Sequence, residues 1–321
     1  MPQWGSGRQR EIPRAKSLSV GIIRATVFHE AQQEVIMEKR PYGQTGWDLS
    51  VLGFGGIIVM DVSPAEADQY VGEARDRGVN YFDVAPSYGN AEERLGPALK
   101  PYRDDVFLAC KTGRRDAAGA QAELENSLRL MQTDHFDLYQ LHAITSDEDV
   151  QQAFGPGGAM ETFLKAREQG KVKHLGFSAH SVHAALAAMN QFDFDSLLFP
   201  FNYITYEQAD FGPQVMEAAQ AKGVARLALK GMARGPWRDG DPHKSEYPKA
   251  WYEPLADRAE ATAALRYTLS LPVTAALPPG DIRLFRLALD IADGFTPLSE
   301  AEHKAICIQA AADQPLFRLA A

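Results

Sequence analysis

Short apolar segments alternate with longer amphipathic segments from residue 51 onward. The short segments are rich in β-branched and aromatic residues, and they lie at 51–55, 79–83, 106–111, 136–142, 172–178, 196–200, 224–230 and 273–277. The longer segments repeat apolar residues at helical spacing. They lie at 64–77, 90–99, 117–131, 158–168, 181–190, 213–222, 258–269 and 282–292. This alternation predicts strands that are followed by helices, and therefore parallel βαβ units.

Eight such units predict an α/β fold of one architecture, the closed (β/α)8 or TIM barrel, because right-handed crossovers leave few other arrangements. A doubly wound sheet is the rival, and it would need a Gly-x-Gly-x-x-Gly turn after its first strand. Gly53-Phe54-Gly55-Gly56 lacks the third glycine of that turn. We therefore interpret these glycines as packing positions in a barrel. Residues 298–312 predict an extra C-terminal helix on the outside.

The first 36 residues differ from the rest of the chain. They are basic and show no clear periodicity before residues 20–28, where Gly21 and Arg24 interrupt the apolar run that a signal peptide would need. Residues 37–50 predict a β-hairpin that turns at 44–46. We divide the chain into an N-terminal extension, 1–36, and a barrel domain, 37–321. Our hypothesis is that Met37 is the natural start or that the extension is a dispensable arm.

Composition narrows the classes of partner. The 321 residues carry a net charge of −9 with an isoelectric point of about 5.4, which argues against nucleic acid because such partners need a basic face. The sequence contains no run of about 18 apolar residues, so we expect no membrane span. Cys110 and Cys307 are the two cysteines, and Cys110 lies in an apolar strand. A buried free thiol and a reducing, cytoplasmic setting are therefore expected, with a small molecule as the partner.

Four polar residues lie at or just after the ends of three successive predicted strands. Asp83, Lys111 and His142 end their strands, and Tyr88 lies on the loop after Asp83. The carboxyl ends of barrel strands share one mouth, so these side chains should meet there. An ammonium near a phenol favours the phenolate, so Lys111 should lower the pKa of Tyr88 and make it a better acid.

The stretch from Gly78 to Gly96, with the strand-ending Lys111 and His142, closely resembles the signature of the aldo-keto reductases. The resemblance extends over residues 37–292. It implies a catalytic tetrad in an enzyme that reduces aldehydes or ketones to alcohols with NAD(P)H. Tyr88 would donate the proton, Lys111 and Asp83 would tune it, and His142 would orient the carbonyl.

The nicotinamide side departs from the family pattern. The resemblance implies contacts from Ser178, Asn202, Leu229 and Lys230. However, Ala179 replaces the usual Asn, and the usual Gln before Asn202 and the usual stacking aromatic at Leu229 are both missing. Similar departures occur in the family's divergent bacterial branch. Some members of that branch carry an iron–sulfur C-terminal domain, which two cysteines exclude here.

The adenosine side is expected to follow the eighth strand. Gly280 precedes a predicted helix, whose N-terminus suits a phosphate. The resemblance places Arg286 near the 2′-phosphate of NADP, while Asp281 and Asp290 stand at positions that it also assigns to the cofactor. A guanidinium suits a phosphate, and a carboxylate repels it. We expect NADP(H) in preference to NAD(H), with no metal among the site residues.

Two alternatives stay open. A barrel that binds a nucleotide with little turnover, as a sensor or interaction subunit, would explain the missing cofactor contacts. A metal-dependent barrel hydrolase would use His180 and His183 with His142 and Asp83. The loop after the seventh strand, with Trp237, Tyr247, Trp251 and Tyr252, favours a substrate with an apolar body.

Deleting residues 2–36 tests the status of the extension. We expect the shortened protein to keep its thermal unfolding midpoint and its activity, because the predicted barrel begins at residue 37. Circular dichroism melting and a turnover assay on both proteins measure this. Loss of folding or of activity would refute the hypothesis.

Overall fold

The computed structural model describes residues 37–319, so the predicted extension, 1–36, lies outside the described residues. In this part of the chain, no helix combines the length and the apolarity that a membrane crossing requires.

Within residues 37–319, twelve strands form one large sheet and two hairpins. In chain order they are β1 (Lys39–Pro41), β2 (Asp48–Ser50), β3 (Gly53–Gly55), β4 (Tyr81–Asp83), β5 (Phe107–Thr112), β6 (Phe136–Ile144), β7 (Val172–Ala179), β8 (Ser196–Pro200), β9 (Ala225–Leu229), β10 (Ala233–Pro236), β11 (Tyr252–Pro254) and β12 (Ala275–Leu277).

Eleven α-helices accompany the strands in the described residues. They are α1 (Pro64–Asp76), α2 (Ala91–Leu99), α3 (Ala117–Leu130), α4 (Asp147–Phe154), α5 (Ala159–Glu168), α6 (Val182–Gln191), α7 (Tyr203–Gln208), α8 (Pro213–Ala221), α9 (Arg258–Ser270), α10 (Ile282–Asp293) and α11 (Glu300–Ala310). Short 3-10 turns lie at Gly56–Val59, Lys100–Asp105 and Pro242–Glu246.

The large sheet is a closed parallel barrel, which confirms the predicted fold. Its strand order is β3-β4-β5-β6-β7-β8-β9-β12, and every neighbouring pair is parallel. The amide of Ala276 on β12 donates to the carbonyl of Val51 at 2.8 Å, and Leu52 bridges to Ala276. This contact joins the last strand to the first, so the barrel has no free edge.

Side chains alternate between the barrel interior and the surrounding helices. Tyr81, Phe107 and Leu138 pack in the interior cluster, whereas their neighbours Phe82 and Leu108 pack in the outer core. With a period of two residues, Asp83, Lys111, Gln140 and His142 then point inward, toward the carboxyl-end mouth. Cys110 faces outward as a buried free thiol, as predicted.

The predicted first hairpin, β1–β2, closes the opposite end of the barrel. Tyr42 and Leu49 are fully buried among interior residues, and the Tyr42 hydroxyl donates to Ser196 Oγ at 2.8 Å. Because buried side chains fill this end, the open mouth of the barrel lies at the carboxyl ends of the strands.

Some elements were not predicted. Helices α4 and α7 lie in segments that we expected to be loops, and β10 and β11 form a second hairpin after β9. The C-terminal helix, predicted for 298–312, is α11 at Glu300–Ala310. The chain after it returns to the mouth, where Phe317 stacks on Phe211 and His180 at centroid distances of 5.2 and 5.4 Å.

Candidate functional site

A buried ion pair lies at the carboxyl ends of β4 and β5. Lys111 Nζ donates to Asp83 Oδ1 in a short contact, and both side chains are almost fully buried. The second oxygen of Asp83 accepts hydrogen bonds from Gln140 Nε2 at 3.0 Å and from the Tyr81 hydroxyl at 3.1 Å. Every oxygen of the carboxylate is therefore held in place, which a buried charge requires.

Lys111 remains charged although its side chain is buried. Desolvation is the largest influence and lowers its pKa, but the Asp83 carboxylate and, once it ionises, the Tyr88 phenol more than offset it, so the pKa of Lys111 is raised. The lysine therefore stays an ammonium at neutral pH.

Tyr88 lies on the loop between β4 and α2, which the adjacent Gly89 turns through a positive φ of 56°. Lys111 Nζ lies 5.3 Å from the centre of its ring. The Tyr88 side chain is half-buried at the mouth. Phenol and ammonium are thus neighbours, as the strand-end pattern predicted.

The predicted direction of the Tyr88 pKa shift is wrong. Desolvation is the largest influence and raises the pKa of Tyr88, and the Asp83 carboxylate raises it further. Lys111 lowers it, as expected, through its charge, but it does not overcome burial. Tyr88 is therefore a protonated phenol at neutral pH, which is the form that donates a proton.

His142 stands beside Tyr88. Their rings meet edge to face with centroids 5.7 Å apart, and Ser87 Oγ lies 3.4 Å from His142 Nδ1. Desolvation, followed by the positive charge of Lys111, lowers the pKa of His142 to about 3. The imidazole is therefore neutral across the physiological range.

Arg115 holds the chain that follows His142, and sequence reasoning missed it. Its Nη2 donates to the carbonyls of His142 and Ala143 at 2.7 and 3.1 Å, and its Nε donates to Asp149 Oδ1 at 2.8 Å. Ala143 has a left-handed φ of 54°, an uncommon conformation for a non-glycine residue. No periodicity in the sequence marks such an arginine, since its partners lie on another strand and helix.

Ser178 and Asn202, predicted at the nicotinamide, make bonds within the protein. Ser178 Oγ accepts from the amide of Ala143 at 2.7 Å. Asn202 caps α7 through its oxygen, and its Nδ2 donates to the carbonyls of Lys230 and Ala233 at 2.9 and 2.8 Å. Both residues thus hold the backbone around the mouth.

Leu229 and Lys230, at the end of β9, lie in the same pocket as Tyr88. This pocket runs from the ion pair to the start of α10. It is lined by Gly55, Ile57, Asp83, Tyr88, Leu198, Leu229, Lys230, Lys249, Trp251, Tyr252, Leu277, Pro278 and Gly280. Gly280 packs so tightly that a Cβ there would lie 2.3 Å from Ile57 Cγ2, so close packing accounts for this glycine.

The three charged residues predicted at the adenosine are all paired along α10. Asp281 caps the helix and binds Arg283 at 2.7 Å. Arg286 donates through Nε and Nη2 to Glu73 on α1 at 2.7 to 3.1 Å. Asp290 accepts from Arg77 and Arg258.

The histidines of the metal-site alternative do not converge. His183 is exposed, and its Nε2 lies 2.9 Å from Asp147 Oδ1. Among residues 37–319, the group with metal-ligand spacing is Glu207, His303 and Cys307, which lie on α7 and α11.

Comparison with known families gives a consistent result. A family profile described as "Aldo/keto reductase family" matches residues 51–272. The chain is 25% identical over 300 residues to "Uncharacterized oxidoreductase YqkF" of Bacillus subtilis (strain 168), a match that covers 84% of this chain and 95% of that protein. It is also 25% identical over 271 residues to "Pyridoxal 4-dehydrogenase" of Microbacterium luteolum, with coverages of 68% and 78%.

Solved structures share the fold. The "aldo-keto reductase AKR11C1 from Bacillus halodurans (holo form)" superposes with a TM-score of 0.66 at 23% identity, over 85% of this chain and 96% of that one. A "Putative aldo-keto reductase from Pseudomona aeruginosa" gives a TM-score of 0.63 at 24% identity, with coverages of 87% and 99%. At these identities the likeness shows a common barrel.

The lowered pKa of His142 predicts its NMR behaviour. Its ring resonances should not move between about pH 5 and about pH 8, because burial and Lys111 keep the imidazole neutral. His243 is the control, since its exposed ring bonds to Glu246, which raises its pKa. We expect His243 to titrate in the same spectra. A midpoint for His142 near the ordinary value of about 6.5 would contradict the site's electrostatics.

Proposed function

We propose that this chain, which belongs to the aldo/keto reductase family, reduces an aldehyde or ketone to an alcohol with Tyr88 as the proton donor. The family and its oxidoreductase relatives support a carbonyl-reducing oxidoreductase. The observation that carries the residue assignments is the meeting of the Tyr88 phenol, the Lys111–Asp83 ion pair and the neutral His142 at one mouth.

Each residue has a task that its environment suits. Tyr88 is protonated and gives its proton to the carbonyl oxygen as negative charge develops there. The phenolate that remains is stabilised by Lys111, whose charge Asp83 maintains. Ser87 Oγ lies beside Nδ1 of His142, so Ser87 can donate there and leave Nε2–H to bond the carbonyl oxygen. This hydrogen bond orients the substrate and stabilises its developing charge.

A nicotinamide dinucleotide, the cofactor that the family generally uses, would lie along this pocket and supply the hydride. Its walls are apolar beside Tyr88, at Leu229 and Leu277, and it ends at Gly280 before the N-terminus of α10. A helix N-terminus favours a phosphate, although the carboxylate of Asp281 caps this one. Ser178 and Asn202 would act here by fixing the pocket's backbone.

We propose NADP(H) in preference to NAD(H). Arg286 would supply the guanidinium that binds the 2′-phosphate. In the structure, this guanidinium is hydrogen-bonded to the carboxylate of Glu73. The pair is partly exposed, with Arg286 at 41% and Glu73 at 28% side-chain exposure, so a stronger phosphate partner can compete for it. Asp281 and Asp290 oppose a 2′-phosphate, but each is neutralised by arginines.

A second candidate is a barrel that binds the dinucleotide with little turnover. Two observations favour it. The side chains of Ser178 and Asn202 are hydrogen-bonded to other groups of the protein. Ala179 and Leu198 stand where the family pattern has amide side chains. The two candidates differ in whether the wild-type protein turns over any carbonyl compound.

Tyr88→Phe tests the proton donor. We expect the reduction rate across a panel of aldehydes and quinones to fall at least about a hundredfold, because proton donation is lost. Dinucleotide binding, followed by fluorescence titration, should be unchanged.

Tyr102→Phe is the matched control. Tyr102 lies on the 3-10 turn Lys100–Asp105 before β5 and outside the mouth pocket, so loss of its hydroxyl should leave the rate near that of wild type. Full activity in Tyr88→Phe would overturn the assignment. Binding without turnover in the wild type would favour the second candidate.

Glu73→Gln tests the cofactor preference. Removing the carboxylate frees Arg286, so NADPH should bind roughly three- to tenfold more tightly while NADH stays unchanged. Asp68→Asn on the exposed face of the same helix controls for net charge. An equal gain in both variants, or no gain in Glu73→Gln, would show that Arg286 does not meet the 2′-phosphate.

A further inference from the structure

Lys230 is held in an uncommon backbone conformation at the mouth. It follows β9 with a left-handed φ of 65°, which strains a residue with a Cβ. Two hydrogen bonds support this turn: Asn202 Nδ2 donates to the Lys230 carbonyl, and the amide of Ala233 donates to it at 2.9 Å. The strain is maintained by well-buried neighbours and directs the side chain into the pocket that contains Tyr88.

Two aromatic rings surround the ammonium of Lys230. Its Nζ lies 4.5 Å from the ring centre of Tyr252 and 5.1 Å from that of Trp251. Both residues belong to the loop and hairpin that follow β9. Aromatic faces attract a cation but do not neutralise it.

Lys230 has no acidic partner among residues 37–319, in contrast to Lys111 and Arg115 at the same mouth. Lys111 pairs with Asp83, and Arg115 pairs with Asp149. Burial alone lowers the pKa of Lys230, to about 8, with no carboxylate opposing it. An unpaired ammonium in a desolvated pocket is costly, and an anion relieves that cost.

The electrostatic neighbours of Lys230 place it on the histidine side of the mouth. Its charge contributes to the lowered pKa values of His142 and His180. Lys249, the other lysine beside it in the pocket, is influenced by Asp281 at the start of α10, and its Nζ donates to the Ile58 carbonyl at 3.0 Å. Lys249 therefore lies toward the proposed dinucleotide end, and Lys230 lies toward the proposed carbonyl end.

We propose that Lys230, held between Trp251 and Tyr252, binds an anionic oxygen group of the substrate, which makes the substrate an aldehyde or ketone that carries a carboxylate. This inference rests on the proposed function and adds a substrate class to it. The carboxylate pairs with the ammonium while the carbonyl meets Tyr88 and His142. A neutral analogue leaves the lysine unpaired, so the site discriminates against it.

Lys230→Met removes the charge and keeps an apolar side chain of similar length. Terephthalaldehydic acid and its methyl ester serve as matched aldehydes, one with a carboxylate and one without. We expect the wild type to favour the acid in kcat/KM. In the variant this preference should fall about ten- to hundredfold, while the ester changes by less than about twofold.

Two further variants isolate the charge. Lys230→Arg should retain the preference for the acid, and Lys249→Met should leave the acid-to-ester ratio unchanged. Dinucleotide affinity is titrated in every variant. Equal losses for acid and ester in Lys230→Met would show a structural role. A loss confined to dinucleotide affinity would assign Lys230 to a cofactor phosphate. Either result overturns the proposal.

A binding measurement separates this proposal from the proposed function. Benzoate and benzamide are titrated calorimetrically into wild type and Lys230→Met, with saturating dinucleotide. We expect benzoate to bind the wild type at least about tenfold more tightly than benzamide, and the difference to vanish in the variant. This result would stand even if no carbonyl were reduced. Equal binding of benzoate and benzamide by the wild type would contradict an anion site at Lys230.

Discussion

The site depends on one buried ion pair, between the Lys111 ammonium and the Asp83 carboxylate. Neither charge is stable alone in the barrel interior, because removal from water costs several kcal/mol for each ion. Together, with Gln140 and Tyr81 bonding the second oxygen of Asp83, they form a fixed dipole below Tyr88. The pair adds to the effect of burial on its neighbours, because Asp83 raises the pKa of Tyr88 further and Lys111 lowers the pKa of His142. The positive end of the pair faces the ring of Tyr88.

The barrel places this pair through strand register. On β4 and β5, inward positions carry bulky residues near the closed end and charged residues near the open mouth. Tyr81 precedes Asp83 by one inward step, and Phe107 precedes Lys111 by two. The first hairpin seals the closed end through Tyr42. The charged residues are therefore buried above an apolar layer, and they lie toward one end of the barrel only.

The sequence predicted what depends on local periodicity. The alternation of strands and helices, the inward side of each strand and the residues at the strand ends all follow from a period of two or of 3.6. The meeting of Asp83, Lys111 and His142 was therefore foreseeable, while their catalytic tasks stay predictions. The direction of the Tyr88 pKa shift was not foreseeable, because it is set by how many atoms surround the phenol. Periodicity also does not report contacts between residues far apart in sequence. Examples are the Arg286–Glu73 pair, the hydrogen bonds of Arg115 and the aromatic rings around Lys230.

Two parts of the site differ in how far apart in sequence their contacting residues lie. The ion pair and its amide partner come from β4, β5 and β6, which are consecutive both in sequence and in space. Other walls of the pocket come from β3, β8, β9 and β12, and β12 joins the start of the barrel through the contact of Ala276 with Val51, which spans most of the domain. Contacts of short sequence separation cost less chain entropy to form than those of long separation. The ion pair therefore rests on contacts of short sequence separation, whereas the pocket wall that β12 contributes depends on ring closure between distant parts of the chain.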